Sequence, residues 1–438
     1  MPYQAGARLP GERASKIGHI QVVSSPLVKE LVDIFQTAVS PSELPHPVWE
    51  PTPAGHEPLK LVFAVDGSFQ IVQSDGMPKR ELGFVKTALL RMDWKAIERI
   101  DRAAPNPFQL RDLLKESAVY HATVFPLKLI GLNHMNTYDA VRTVIYQSLR
   151  DSSLGEEPYK TLKWLAYQQW NKNASRSPEF ECPHCMKIIP GLPADSDTAP
   201  CNHCGGEVYL SDMIGFHLDM AEDAAPSSIA TSYMTVHENL LLFTGIRHFW
   251  ERREFDLLGE ALFMKDGPLT LRGQYSKLVI PIRAFLQHAK DSGVTINIIG
   301  HEKSGLFFDH LQAIAPEAPS NSYFIPSEKY IRQEIQRRPD LGEQYGRRTN
   351  YGAKVFFNTD DSHHVVLNIP TGEYKEAEEI GDLIGAARIL ASIGQLKSYQ
   401  HEGALLPIHL ANGIASLSTY PSAQVLKLFS STLLSDDT

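Results

Sequence analysis

Long apolar runs are missing from this 438-residue chain, and none approaches the roughly 20 residues that a membrane-spanning helix needs. The opening residues, Met1 to Gly6, lack the apolar stretch of a secretory signal. Positive charge is not in excess. With 42 Lys and Arg against 51 Asp and Glu the net charge is −9, which argues against a protein that coats nucleic acid by bulk electrostatics. No GxxxxGKS or GxxxxGKT phosphate loop occurs, so any ATP-driven step has to come from another chain. Cysteine is scarce, and its four residues fall into two CxxC pairs. That usage suits metal binding in a reducing compartment better than disulfides, and a cytoplasmic location without membrane contact is expected.

What is present is ordinary in bulk and specific in places. A hydrophobic content of 43% and a charged content of 21% fit a globular protein, and the length allows two or three domains. The sharpest local signal is Cys182-Pro-His-Cys185 and Cys201-Asn-His-Cys204, with 15 residues between the pairs and Gly205-Gly206 after the second. Two such knuckles place four thiolates around one Zn²⁺, and glycines permit the tight turn behind the sulfurs. A closed four-cysteine site has no open coordination position, so the expected role is structural. His184 and His203, inside the knuckles, are read as bystanders.

A second signal is a pair of strands that each carry Asp-Gly. Leu61 to Val65 is a short apolar run followed by Asp66-Gly67-Ser68, and Ala261 to Met264 precedes Lys265-Asp266-Gly267-Pro268. Each Asp-Gly is expected to end its strand in a turn, because glycine lets the chain leave the strand and Asp-Gly is a common turn dipeptide, with Phe69 to Val72 resuming extended structure before a turn at Ser74-Asp75-Gly76. Two aspartates brought to one sheet edge would give hard oxygen ligands for Mg²⁺ or Mn²⁺.

Along the chain, Ser25-Pro26 reads as the start of an amphipathic helix over 27–38, and the prolines from Pro41 to Pro53 as a linker. Residues 82–90 and 107–117 are strands or short helices. Helices are predicted over 138–149, 160–170, 228–249, 278–290, 376–390 and 405–417, and strands over 294–300, 353–358 and 364–369. Glu238 falls inside the apolar helix 228–249, whereas Glu251 lies in a run of charges. Arg337-Arg338 and Arg347-Arg348 are read as solvated charge. Strands alternating with helices predict an α/β fold interrupted by the cysteine segment.

The ordered set of strand-Asp66-Gly67-Ser68, helix with Glu238, strand-Asp266-Gly267-Pro268-Leu269 and strand-Gly300-His301-Glu302-Lys303-Ser304 resembles the NurA nuclease domain. The strand from Tyr351 to Phe357 and the helix with Pro407-Ile408-His409-Leu410-Ala411-Asn412 resemble its end. The resemblance implies an RNase H-like mixed sheet flanked by helices, here with an inserted zinc ribbon. It divides the chain into an N-terminal helical segment and linker (1–54), a first core part (55–150), the insert (151–225) and a second core part (226–438). It further implies a Mn²⁺- or Mg²⁺-dependent deoxyribonuclease. Asp66, Glu238 and Asp266 would be metal ligands and catalytic residues, Lys303 would stabilise charge on the phosphate, and His409 or Asn412 would complete the site. The implied partners are DNA, a HerA-type hexameric ATPase and a second copy of the chain, in DNA end processing or phage defence. Two departures stand out. Glu238 lies 28 residues before Asp266, farther than is usual, while Glu251 lies 15 before it. Asn412 occupies the position where the family usually has His or Asp. These departures keep alive a rival reading, a zinc-ribbon nucleic-acid-binding adaptor with a weak or inactive core.

Overall fold

The computed structural model describes residues 22–35, 47–93, 118–132, 134–171, 174–221, 225–337, 344–360, 363–398, 403–417 and 421–434. The expected elements at 107–117, the linker prolines Pro41 and Pro45, and Arg338 lie outside the described residues.

The core is a mixed sheet of nine strands: β1 (Glu50–Pro51), β2 (Leu61–Gln73), β3 (Glu81–Asp93), β4 (Ala118–Lys128), β9 (Ala261–Asp266), β10 (Asn297–Glu302), β11 (Ser322–Phe324), β12 (Ala353–Asp360) and β13 (His363–Ile369). Strands β5 (Phe180–Glu181), β6 (Ile188–Ile189), β7 (Thr198–Pro200) and β8 (Glu207–Tyr209) form two small hairpins outside it. The order across the sheet is β1-β11-β12-β13-β10-β9-β2-β3-β4. An antiparallel meander, β2-β3-β4, is extended on its other side by β9 and β10, both parallel to β2. This is an RNase H-like arrangement. The three parallel strands are buried runs with little alternation, as expected of strands covered on both faces.

Of the helices, α1 is Pro26–Ile34, α2 Thr137–Leu149, α3 Glu157–Ala166, α4 Ser228–Glu251, α5 Val279–Asp291, α6 Leu306–Ile314, α7 Ala386–Ile393, α8 Leu406–Ala415 and α9 Ser422–Phe429. One face of the sheet, with Phe63, Val65, Phe263 and Ile298, packs under α4, α3 and α5. The opposite face, with Val62, Ala64, Leu262, Met264 and Ile299, packs under α7 and α8. Helix α4 is buried almost continuously from Val236 to Arg247, which explains why its apolar residues show no single stripe.

Several expectations shift. Helix α1 forms but buries none of its residues. The helix expected over 376–390 is a short turn at Ile380–Asp382 followed by α7, because Gly385 adopts a positive φ of 71° and starts the helix there. The linker prolines end in β1, which pairs with β11 at the sheet edge. The largest difference concerns Asp66: β2 does not stop there. It continues to Gln73, paired with β3 along its whole length. Gly67 is therefore not a turn residue. A Cβ at Gly67 would lie 2.5 Å from Met234 Cγ and 2.7 Å from Glu238 Oε1, so the glycine is needed for the close approach of α4. Gly267 does make the expected turn, with φ of 80°.

The segment 151–225 does not stand apart. Tyr159, Leu162, Phe180, Cys182, Ile189, Cys201 and Val208 join the same apolar cluster as Phe63 and Phe263.

Candidate functional site

Parallel pairing aligns three chemically active residues. In the β2–β9 ladder Val65 pairs with Lys265, so Asp66 and Asp266 are the next residues on their strands. In the β9–β10 ladder Asp266 pairs with His301. Alternation puts all three on the face of Ala64, Met264 and Ile299, beneath α8. The row Asp66–Asp266–His301 thus crosses adjacent strands at one level. Asp66 sits where β9 leaves its side, so one aspartate lies mid-strand and the other at a strand end.

Asp66 is buried. Its Oδ1 accepts a hydrogen bond from the Gly67 N–H at 2.7 Å, and its buried Oδ2 has no hydrogen-bond partner. Burial pushes its pKa up to about 7, and the carboxylates of Asp266 and Glu238 push in the same direction. Asn412 and Lys303 oppose this, Asn412 by presenting its side chain to the carboxyl. Helix α8 is held over Asp66 by two ties just beyond it: Leu417 N–H donates to Ser68 Oγ at 3.1 Å, and Lys86 Nζ to Ile414 O at 2.5 Å. His409, one turn before Asn412, is half-buried.

Asp266 is partly open to solvent, and Lys303 Nζ lies 2.8 Å from its Oδ2 with 39% of the lysine side chain exposed. An ion pair this exposed holds weakly, so Lys303 can exchange Asp266 for another anion. Glu238 reaches the site from the other side of the sheet. Its Oε2 pairs with Lys265 Nζ at 2.9 Å, and both side chains are only 4% exposed. Burial raises the pKa of Glu238, and Lys265 counters that. Lys265 also donates to Asp266 O at 2.6 Å, linking the pair to the aspartate's backbone. Glu251 lies 13 residues further along α4, about 20 Å away, with its side chain 49% exposed.

His301 was not singled out from the sequence. It is fully buried; its Nε2 lies 2.8 Å from Gly403 O, and its Nδ1 has no partner. A carbonyl only accepts, so Nε2 carries the proton and Nδ1 offers a lone pair. Burial lowers the pKa of His301 to about 4. A cavity of about 1570 Å³ opens at the other end of β2, lined by Leu61, Phe63 and Arg91 among others. Its lining residue Phe63 is about 10 Å along the strand from Asp66 and faces the opposite side of the sheet.

The donor set fits a divalent cation. Like charges are gathered at Asp66 and Asp266, and a buried oxygen and a buried nitrogen lack partners. Among the described residues neither the three carboxylates nor the set Asp66, Asp266 and His301 brings its donor atoms within 4.8 Å of one another; the cysteines form the one group of three or more metal-type donors that does.

In that group Cys182 and Cys204 sulfurs lie 3.8 Å apart, and those of Cys185 and Cys201 3.9 Å. A tetrahedron with metal–sulfur distances of about 2.3 Å spaces its sulfurs by about 3.8 Å, so the four residues fit a metal ion. Backbone N–H groups of His184 and His203 point at Cys182 and Cys201 sulfurs, each at 3.4 Å. The two histidine rings brace opposite knuckles: His184 Nε2 meets Glu207 O at 2.7 Å and His203 Nε2 meets Ile188 O at 3.3 Å. Arg142 of α2 clamps the segment to the core through a buried two-pronged contact with Asp212, at 3.0 and 2.8 Å.

No protein-family model matches the chain, and no curated protein matches it. It is similar to a solved structure described as the crystal structure of NurA, at 12% identity and a TM-score of 0.30, covering 96% of this chain and 98% of that one. A second, the crystal structure of NurA with manganese, is also 12% identical, with a TM-score of 0.21, covering 96% and 99%. At that identity and overlap the likeness adds nothing to the geometry. No helix among the described residues is long and apolar enough to cross a membrane.

Proposed function

We propose that the chain is a divalent-metal-dependent deoxyribonuclease with a separate, structural zinc site. The observation that carries this reading is the pair Asp66 and Asp266 on one face of adjacent strands, with Asp66 Oδ2 buried and unpartnered. Asp66 and Asp266 would hold the catalytic Mn²⁺ or Mg²⁺, which when bound supplies a Lewis acid and lowers the pKa of water. Asn412 orients the Asp66 carboxyl. Lys303, at the exposed rim, exchanges Asp266 for a phosphate oxygen and steadies negative charge as it develops there. Glu238 and Lys265 place a neutralised carboxylate beneath the row and fix its backbone. Cys182, Cys185, Cys201 and Cys204 would hold Zn²⁺ without an open position.

An acidic chain does not grip DNA along an open surface, so the proposal includes a second copy of the chain and a HerA-type hexameric ATPase that feeds DNA to the site, in the cytoplasm, for end processing or phage defence. One observation favours the rival reading, a catalytically weak zinc-ribbon adaptor of such a complex: Lys265 already occupies Glu238, which leaves two carboxylates for the metal. Cleavage of labelled linear and single-stranded DNA with Mn²⁺ separates the two, with and without the ATPase. The enzyme reading expects metal-dependent cleavage that falls at least about a hundredfold in Asp66→Asn and in Asp266→Asn. DNA binding without cleavage, even beside the ATPase, would leave the adaptor.

A further inference from the structure

We infer that Tyr120 is a stacking platform for one unpaired base of the DNA, set beside Asp66, and that it makes single-stranded DNA the preferred substrate. The inference rests on the nuclease reading above and adds to it how the site receives its substrate. The placement of Tyr120 follows from register. Asp66 pairs with Ala88 on β3, and Ala88 pairs with Tyr120 on β4. Directly paired residues share a face, so Tyr120 stands on the face of Asp66 and at its level, two strands and roughly 10 Å away. The helices that cover Asp66 stop short of it. Ala118 packs against the apolar cluster under α7 and α8, whereas the next residues of β4 on this face, Tyr120, Ala122 and Val124, are exposed.

The shelf so formed has the chemistry of a base contact. Tyr120 is 58% exposed, and Lys86 Nζ lies 4.8 Å from its ring centroid, over one face. Lys86 is itself fixed by donating to Ile414 O on α8 at 2.5 Å, which steadies the ring and leaves its other face to solvent. From Leu82 to Met92 on β3, and among the residues paired with them on β2 and β4, the charged side chains on this face are Asp66 and Lys86 alone. In a chain of net charge −9, a surface beside the site whose one carboxylate is Asp66 suits a strand of phosphates. Every base has a π-face, so stacking on a tyrosine holds a strand without reading its sequence, provided the base is unpaired. The span to Asp66 corresponds to roughly one or two nucleotides of an extended strand.

The test is cleavage by the full-length protein in Mn²⁺ of three labelled substrates: a single strand, the same strand with one abasic position moved stepwise past the cut, and a blunt duplex. Tyr120→Ala should cleave the intact strand about tenfold more slowly, and Tyr120→Phe, which keeps the ring, should recover the wild-type rate. An abasic position about one or two nucleotides from the cut should cost the wild type a similar factor. The same position should slow Tyr120→Ala by less than about twofold further, because the stacked pair is already broken. Cleavage of the duplex, whose bases are paired, should differ by less than about twofold between Tyr120→Ala and the wild type. A Tyr120→Ala protein that cleaves the single strand at the wild-type rate, or loses equally on all three substrates, overturns the proposal and leaves the nuclease standing. So does a change from dimer to monomer on sedimentation of Tyr120→Ala, which would assign the shelf to an interface between copies. Wild-type protein that cleaves none of the substrates, with or without the ATPase, overturns the nuclease reading and the place of Tyr120 beside the cut with it.

Discussion

The four cysteines and the row Asp66–Asp266–His301 are both sets of metal-type donors, built in opposite ways. The cysteines lie within 23 consecutive residues, from Cys182 to Cys204, on two hairpin turns that bring their sulfurs within 4.8 Å before any long-range contact is needed. The strand residues are up to 235 positions apart, from Asp66 to His301, and meet only because parallel ladders fix their register. A local site closes on itself, leaves no open coordination position and is suited to stability. A site assembled across a sheet keeps an open side, here the rim where Lys303 sits, and that opening is what chemistry requires.

The sharpest way to break the contrast is to remove the local site. Cys201→Ser takes a ligand from the cluster that shares a core with Phe63 and Phe263, and it should cost about 5 kcal/mol or more, because structural zinc binding is folding energy. The melting temperature should drop steeply, a strong chelator should reproduce the loss in the native chain, and an unchanged melt in both would mean the segment does not depend on its metal. Next comes the buried pair under the open site. Lys265→Met strands the Glu238 carboxylate and should cost about 3–5 kcal/mol in denaturant unfolding, with Glu238→Gln in the same chain recovering part of it. No recovery would indicate that packing of the lysine, not charge, was lost.

Acid sharpens the contrast less. Burial lowers the pKa of His121 and of His217, two nearly inaccessible rings away from the carboxylate row. A histidine whose folded pKa lies below its unfolded value of about 6.5 binds its proton more readily when unfolded. Its stabilising effect is complete above pH 6.5 and is lost as the pH falls through that value, with a slope approaching about 1.4 kcal/mol per unit for each ring. The raised pKa of the Asp66 carboxyl pulls the other way, because the folded chain binds its proton over the same range, so the decline in melting temperature between pH 7.5 and 5.5 is expected in Asp66→Asn protein, where a flat profile would mean that these rings stay solvated. The smallest effect belongs to Glu251→Gln. That exposed helix end lies about 20 Å from Glu238, and the change should move stability by less than about 0.5 kcal/mol and leave cleavage untouched.

The two Asp-Gly dipeptides show how much of this was readable in the residues. Both strands and both aspartates are legible as an apolar run ending in Asp-Gly, yet the dipeptides mean different things. At Asp266-Gly267 the glycine turns with positive φ; at Asp66-Gly67 it lies within a 13-residue strand and makes room for Met234 and Glu238. Nothing local separates a glycine that turns from one that admits a neighbouring helix. The lysine beneath Glu238 was equally hidden, since Lys265 reads as the polar end of a strand until the α4 face is placed against it. His301 carried one usable signal, a histidine directly after the buried run that ends in Gly300, in step with Asp266 if the two strands are aligned by their apolar segments. The cysteine knuckles needed no such alignment, because spacing alone determines their geometry.

The account's central claim is two metal sites of different kinds on one chain, and metal analysis of purified protein tests it most directly. The account predicts about one zinc per chain that survives dialysis in both the native protein and Asp66→Asn, together with exchangeable Mn²⁺ bound by the native protein and not by that variant. Mn²⁺ taken up equally by Asp66→Asn, or zinc absent from well-folded native protein, would contradict it.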